Sequence, residues 1–132
     1  MSRVDTALRG LIIAHADLAD ALITTVNQIA GSQENLVALS NTYLSAAELE
    51  RKIRELLEDG IPTVIFTDFW GGSAFAAARS VVNEYRLENK TPCAVITGVN
   101  LPMLISFVTK RQSYDFFEFV EVLREDGHRG IQ

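Results

Sequence analysis

Short apolar segments alternate with longer segments of helical periodicity along the chain. Four apolar segments, residues 10–14, 36–39, 63–66 and 94–97, contain few polar side chains, which predicts buried strands. After each of them, apolar residues recur every three or four positions, which predicts a helix. Buried strands that alternate with helices are typical of a parallel sheet with helices on both faces.

Capping residues mark several helix ends. Asp17 and Asn100 are placed to cap two of the helices, and a capping box that begins at Ser45 precedes a third. A last helix is expected over about 114–125, with Gly127 breaking it.

The elements follow one another as βαβαβαβα with one further helix. Because crossovers between parallel strands are right-handed, few arrangements fit this order. The simplest is an α/β, doubly wound, mainly parallel sheet in the strand order 2-1-3-4 with helices on both faces. We expect one domain over residues 1–132, of which residues 1–9 form an N-terminal extension.

Composition narrows the function classes. The chain has 132 residues and a formal net charge of −5 with no basic run, which argues against a broad nucleic-acid surface. Its apolar segments are far shorter than the ~20 residues that span a bilayer, and its start lacks the apolar stretch of a signal peptide. The single Cys93 allows no internal disulfide, and neither histidine has metal-ligand spacing to it. We therefore expect a cytoplasmic protein without a metal or membrane insertion.

Candidate chemistry gathers at one end of the predicted sheet. In open α/β sheets, sites form at the carboxyl ends of strands where the winding reverses, here between strands 1 and 3. His15 follows strand 1 and Asp68 follows strand 3, and Gly71-Gly72-Ser73 then opens a helix whose N-terminus favours an anion. An aspartate beside a histidine fixes the tautomer of the ring and leaves its other nitrogen as a nucleophile. The combination favours transient phosphorylation of His15.

Each of these residues also has a purely structural interpretation. His15 alone could be a polar side chain at a strand end, Asp68 could cap the turn after strand 3, and Ser73 could be the N-cap of its helix. Phe69 and Trp70 could be core residues, although two large aromatic side chains after a strand more often line a cleft. The convergence of these features at one switch point favours a functional site.

Four segments resemble the IIA domain of the mannose-type sugar phosphotransferase system over roughly residues 10–130. They are IAH (13–15), GSQEN (31–35), TDFWGGSAF (67–75) and ITGVNLPML (96–104). The resemblance implies that His15 accepts a phosphoryl group from the histidine-containing phosphocarrier protein, HPr, and passes it to a histidine of a separate IIB protein. It implies that Asp68 is the partner of this histidine. It also implies that the transfer uses neither a metal nor an organic cofactor.

Further expectations concern the surroundings of the two central residues. We expect Gly71-Gly72-Ser73 to bind the phosphoryl group, and Phe69, Trp70 and Phe75 to form the rim on which partners dock. The resemblance implies a homodimer in which a C-terminal strand exchanges between subunits, with residues 130–132 as the candidate. Such pairing would also remove an exposed sheet edge.

The sequence departs from the family pattern at three positions around the site. Ala16 stands where the family usually has glycine, and Ala74 and Ala76 replace a proline and an asparagine. These departures alter the rim of the predicted pocket and leave a regulatory role open beside sugar uptake.

Other functions compete with the phosphoryl carrier. One is a non-transport regulatory binding module that signals by its phosphorylation state. A receiver domain phosphorylated on Asp68 would need acidic residues after strand 1, and a flavodoxin-like nucleotide-binding module would need glycines there; His15 and Ala16 occupy that place instead. The dihydroxyacetone-kinase phosphocarrier fits the TDFWGGS segment less well.

His128 is expected to be exposed and far from the strand ends.

Overall fold

The computed structural model of the chain describes residues 7–111 and 113–132. The sheet in this part is parallel throughout, in the order β2-β1-β3-β4, which confirms the predicted order and fold class. The strands are β1 (Arg9–Ala14), β2 (Leu36–Ser40), β3 (Thr63–Thr67) and β4 (Cys93–Thr97), and the helices are α1 (Leu18–Ala30), α2 (Ala46–Leu57), α3 (Ser73–Leu87), α4 (Leu101–Lys110) and α5 (Phe116–Arg129).

The register of the sheet brings the carboxyl ends of all four strands to one edge. Ile13 in β1 pairs with Leu39 in β2 and with Thr67 in β3, and Thr67 pairs in turn with Thr97 in β4. The residues that follow these strands therefore meet at a common surface, which is the place where the sequence predicts a site.

Helices cover both faces of the sheet, as predicted. Helices α1, α4 and α5 pack on one face around side chains such as Ile12, Phe66 and Phe107. Helices α2 and α3 pack on the other face, where side chains such as Leu11 and Ile65 are buried. Neighbouring strand residues point to opposite faces, so strands buried on both sides are apolar at almost every position.

The predicted caps hold in two of three cases. Ser45 and Glu48 form the capping box at the start of α2, and the side chain of Asn100 accepts a hydrogen bond from the Met103 N–H at the start of α4. Asp17 stands at the N-cap of α1, but its side chain makes no capping hydrogen bond.

The last helix is longer than the sequence indicates. It spans Phe116–Arg129, so Gly127 lies inside it instead of ending it. Gly127 is buried, and a Cβ atom there would lie 2.7 Å from Cε of Met103. Its carbonyl also accepts a hydrogen bond of 3.0 Å from the amide of Asn100. Because it has no side chain, Gly127 lets α4 and α5 pack closely. This packing outweighs the low helix propensity of glycine.

The two ends of the chain are where the sequence predicts an N-terminal extension and an exchanged strand. Of the predicted N-terminal extension, residues 1–6 lie outside the described residues, whereas Leu8 is buried and Arg9 begins β1. At the other end, residues 130–132 form no strand in this single chain. The exchanged edge strand therefore stays a prediction.

Candidate active site

His15 lies directly after β1, at the edge where the strand ends converge. The chain turns sharply there, since the next residue, Ala16, has a left-handed φ of 50°. The imidazole is about half exposed, with 52% of its side-chain surface accessible. Its ring stacks on the ring of Phe69, with centroids 5.6 Å apart. The side chain is therefore supported on one face and open to solvent.

Asp68 binds His15 through a single carboxylate oxygen. Its Oδ2 accepts hydrogen bonds from the backbone N–H of His15, at 2.9 Å, and from the ring at Nδ1, at 2.7 Å. Its other oxygen, Oδ1, accepts the N–H of Phe69 at 3.1 Å. The aspartate side chain is only 10% exposed. With Nδ1 donating to the carboxylate, Nε2 is the ring nitrogen left with a free lone pair.

The electrostatics of Asp68 follow from these contacts. Burial alone would raise the pKa of the carboxyl, but the hydrogen bonds from the ring and the backbone N–H of His15 outweigh it, and the net pKa lies below its usual value. The group is therefore an anion at neutral pH and can stabilise positive charge on the ring.

The segment from Asp68 to Ser73 forms the turn into α3. Gly71 adopts a left-handed φ of 86°, a conformation that glycine reaches without strain. The N-cap is Gly72 and not Ser73, which is the first helical residue, so the alternative that Ser73 is only an N-cap is wrong. Gly72 also leaves space for Phe69, because a Cβ atom on it would lie 3.1 Å from that ring.

The start of α3 has backbone donors without helical partners. The N–H of Ala76 makes the first bond of the helix, to the carbonyl of Gly72. The N–H groups of residues 73–75 precede it and have no carbonyl one turn earlier in the helix. No side chain caps this end. The helix N-terminus therefore offers several N–H groups to an anion.

Two residues of the loop after β2 also belong to the site and were missed by the sequence analysis. The amide of Asn41 donates to Oγ of Ser73 at 2.9 Å, and Oγ1 of Thr42 accepts the N–H of Ala16 at 3.0 Å. Their position after the second strand could have indicated this, because the carboxyl ends of all parallel strands lie at one edge and polar residues there can reach the site.

Three buried polar atoms near this edge have no hydrogen-bond partner among the described residues. They are Oδ1 of Asn41, Oγ1 of Thr67 and Oγ1 of Thr97. Buried side-chain oxygens are normally paired. Their concentration beside the ends of β2, β3 and β4 marks this edge as the polar part of an otherwise apolar sheet.

The predicted aromatic rim divides into two parts. Trp70 and Phe75 pack against each other, with ring centroids 4.8 Å apart, and the guanidinium of Arg79 lies 5.9 Å from the centre of the Phe75 ring. Trp70 is 68% exposed, and these three residues line a shallow pocket of about 410 Å³. Phe69 instead stacks on His15 and belongs to the site itself.

The second histidine is not where the sequence indicates. His128 is exposed, as expected, but it lines a groove of about 870 Å³ together with Thr97 and Gly98, at the carboxyl end of β4. The expectation that it lies far from the strand ends is wrong, because α5 continues past Gly127 and carries it there.

Two broader features concern the described part of the chain as a whole. Within residues 7–111 and 113–132, no group of three or more His, Cys, Asp or Glu side chains is arranged to hold a metal ion. None of the helices in the same residues is long and apolar enough to cross a membrane.

Several solved structures are similar to the chain in fold. The phosphotransferase system component EIIA from Streptococcus agalactiae superposes with a TM-score of 0.87 at 24% identity, covering 95% of each chain. The mannose/sorbose-specific IIA subunit from Enterococcus faecalis has a TM-score of 0.75 at 18% identity, covering 94% of this chain and 92% of that one. A sigma-54 interaction domain protein from Enterococcus faecalis has a TM-score of 0.76 at 10% identity, covering 96% and 94%.

At these identities the similarity shows the fold alone. No curated protein sequence matches the chain. The family model EIIA-man, described as the fructose IIA component of the phosphotransferase system, matches residues 10–123. This match spans most of the chain and includes both residues of the His15–Asp68 pair. The chain therefore belongs to the mannose-type IIA family of the sugar phosphotransferase system.

Proposed function

We propose that the chain is a phosphoryl carrier, which accepts a phosphoryl group from phosphorylated HPr on Nε2 of His15 and passes it to a histidine of a separate IIB protein. The observation that carries this proposal is the double hydrogen bond from His15 to one oxygen of Asp68. It holds the half-exposed ring in one orientation, with a single nitrogen free to react.

The transfer exchanges one P–N bond for another, between the histidine of HPr and His15. The lone pair of Nε2 attacks phosphorus, the P–N bond to the HPr histidine breaks, and the bonding electrons return to that ring. The ring of His15 then carries positive charge while Nδ1 keeps its proton, and the adjacent carboxylate of Asp68 stabilises it, as the aspartate does in a catalytic triad. Asp68 orients the ring and stabilises its charge, and it removes no proton.

The phosphoryl oxygens would meet Gly71, Gly72 and Ser73. The left-handed turn at Gly71 and the uncapped start of α3 support this role, because backbone N–H groups and the positive end of the helix favour an anion. The hydroxyl of Ser73 adds a side-chain donor. No metal or organic cofactor enters the reaction.

Partner proteins would dock on the exposed Trp70 and the half-buried Phe75 that packs against it, next to the site. The charge of Arg79 over Phe75 gives this surface an apolar centre with a charged edge, which suits a small transient interface. Phe69 contributes by stacking on the ring of His15. We further propose a homodimer, whose test is sedimentation of the chain for twice its 14.6 kDa mass.

The test compares the two histidines of the chain. We incubate wild type, His15→Ala and His128→Ala with phosphorylated HPr and measure the added mass. We expect wild type and His128→Ala to gain one phosphoryl group and His15→Ala to gain none. His128 is a matched control because it is also exposed and also lies near a strand end. Labelling that survives His15→Ala would overturn the proposal.

A second candidate is a regulatory module that signals by its phosphorylation state. The structural similarity to a sigma-54 interaction domain protein favours it. It shares the first step, so the distinguishing measurement is the second one. A carrier passes the group from phosphorylated His15 to a IIB protein within the time of the assay, whereas a regulatory module keeps it and changes its affinity for another partner.

A further inference from the structure

Asn41 is a buried polar residue at the carboxyl end of β2. It is 5% exposed. Its backbone N–H donates to the carbonyl of Ala14 at 3.1 Å, and its carbonyl accepts from the N–H of Leu44 at 3.2 Å. The backbone is thus fixed to the end of β1, one residue before His15. A side chain anchored in this way has a defined direction.

That direction is toward Ser73. Nδ2 of Asn41 lies 2.9 Å from Oγ of Ser73. An amide nitrogen only donates hydrogen bonds, whereas a hydroxyl both donates and accepts. The serine oxygen therefore accepts from Asn41, and its own hydrogen cannot point back along the same line. Ser73 is exposed at the start of α3, where backbone N–H groups also face outward.

We propose that Asn41 is a positioning residue, which commits the hydroxyl of Ser73 to donate its hydrogen to the phosphoryl group on His15. This inference rests on the proposed function and adds a residue to it. The hydroxyl is oriented before the phosphoryl group arrives, so no reorientation accompanies the transfer. Donors preorganised toward developing charge are a main source of rate enhancement in enzymes.

The neighbouring residue supports the same arrangement from the other side of the site. Oγ1 of Thr42 accepts the N–H of Ala16, next to His15. The loop that follows β2 thus contacts Ala16, the neighbour of the phosphoryl acceptor His15, through Thr42, and the hydroxyl of Ser73 in α3 through Asn41. One short loop fixes the distance between the two halves of the site.

The test uses two substitutions that separate hydrogen bonding from shape. Asn41→Ala removes the donor and leaves the serine hydroxyl free to rotate. Asn41→Asp keeps the shape but presents only acceptors, so the serine hydrogen turns toward the carboxylate and away from the phosphoryl group. We expect transfer from phosphorylated HPr to slow about threefold to tenfold in Asn41→Ala and more than tenfold in Asn41→Asp. A packing role predicts the reverse order, because aspartate fills the space better than alanine.

A double-mutant cycle with Ser73→Ala tests whether Asn41 acts through the serine. In the Ser73→Ala background, we expect Asn41→Ala to change the rate by less than about twofold. Circular dichroism spectra of all variants are compared to verify folding. Rates in Asn41→Asp that equal or exceed those in Asn41→Ala, or effects of the two alanine variants that multiply, would overturn the inference.

A chemical phosphoryl donor separates this inference from the proposed function. Phosphoramidate phosphorylates histidine without HPr, and the decay of phosphohistidine at His15 can be followed by phosphorus NMR in each variant. We expect faster decay in Asn41→Asp than in wild type, with decay at His128 unchanged. If HPr does not label the wild type but this order holds, the proposed function fails and the inference stands. Equal decay at His15 in all variants contradicts the inference alone.

Discussion

Replacement of Asp68 by asparagine is the sharpest test of the proposed chemistry, because the side chain keeps its shape. The carboxylate of Asp68 is surrounded by three donors: the backbone N–H of His15, its ring at Nδ1, and the N–H of Phe69. An amide has one accepting oxygen and one donating nitrogen. Whichever way it is turned, its NH₂ group faces at least one N–H group.

Both orientations of the amide impair His15. If the NH₂ group faces the imidazole, Nδ1 must accept, so the ring proton moves to Nε2 and the nucleophilic lone pair is lost. If the oxygen faces the imidazole, the tautomer is kept, but the negative charge that stabilises the phosphorylated ring is gone. The NH₂ group then opposes the N–H of Phe69.

The expected magnitude follows from the loss of one hydrogen bond to a charged group. Such bonds contribute about 1.5–3 kcal/mol, and a barrier change of about 1.4 kcal/mol is tenfold in rate. Transfer should therefore slow at least about tenfold and up to about 150-fold. Binding of HPr should be unchanged, because the Asp68 side chain is only 10% exposed and offers little surface to a partner.

Rapid-quench measurement of transfer from phosphorylated HPr gives the rates for wild type and Asp68→Asn. Asp17→Asn is the matched control, because it removes the same charge two residues from His15 and its side chain makes no capping bond. We expect this control to stay within about twofold of wild type. Equal rates for wild type and Asp68→Asn would show that Asp68 only caps its turn.

Three further predictions concern stability and docking. The hydrogen bonds from Lys110 and Ser106 lower the pKa of Asp126. Its contribution to folding stability is therefore present above the unfolded pKa of about 4 and is lost as the pH falls toward the lowered pKa of the folded state. Asp126→Asn should lower the free energy of unfolding in urea by about 1–2 kcal/mol at pH 7 and by much less near pH 2. Gly127→Ala should destabilise the protein by about 1 kcal/mol or more, because overpacking against Met103 exceeds the gain in helix propensity; thermal melting that rises instead would contradict the packing argument. Transfer from HPr should slow with ionic strength if charge steers docking, and a constant rate from low to high salt would exclude steering.

The strand order and the central pair of the site were predictable because each depends on local signals. Strands buried on both faces are apolar at nearly every position, so their limits are visible in the chain. The positions of His15 and Asp68 then follow from topology, since residues after adjacent parallel strands meet at one edge. No long-range contact needs to be known for this step.

The features that were missed depend on contacts between distant segments. Gly127 has the signature of a helix end, and only its contact with Met103 shows why the helix continues through it. Asn41 resembles an ordinary turn residue after a strand, and its bond to Ser73 joins residues 32 positions apart. Phe69 is an aromatic residue of the kind expected on a docking surface. Its ring instead stacks on His15 and packs against Gly72, where the missing side chain leaves room for it.

The departures from the family pattern are consistent with a working site. Ala16, in place of glycine, holds a left-handed φ that costs an L-residue roughly 1–2 kcal/mol, and the bond from its N–H to Thr42 stabilises that turn. Ala74, in place of proline, has a backbone N–H at the uncapped start of α3, which on the proposed function would add a donor for the phosphoryl group. Ala76 lines the pocket beside Trp70, so on the proposed function its shorter side chain would change the docking surface and not the His15–Asp68 pair. On the proposed function, we therefore expect Ala16 and Ala74 to preserve the capture of a phosphoryl group and Ala76 to alter which protein can deliver or receive it.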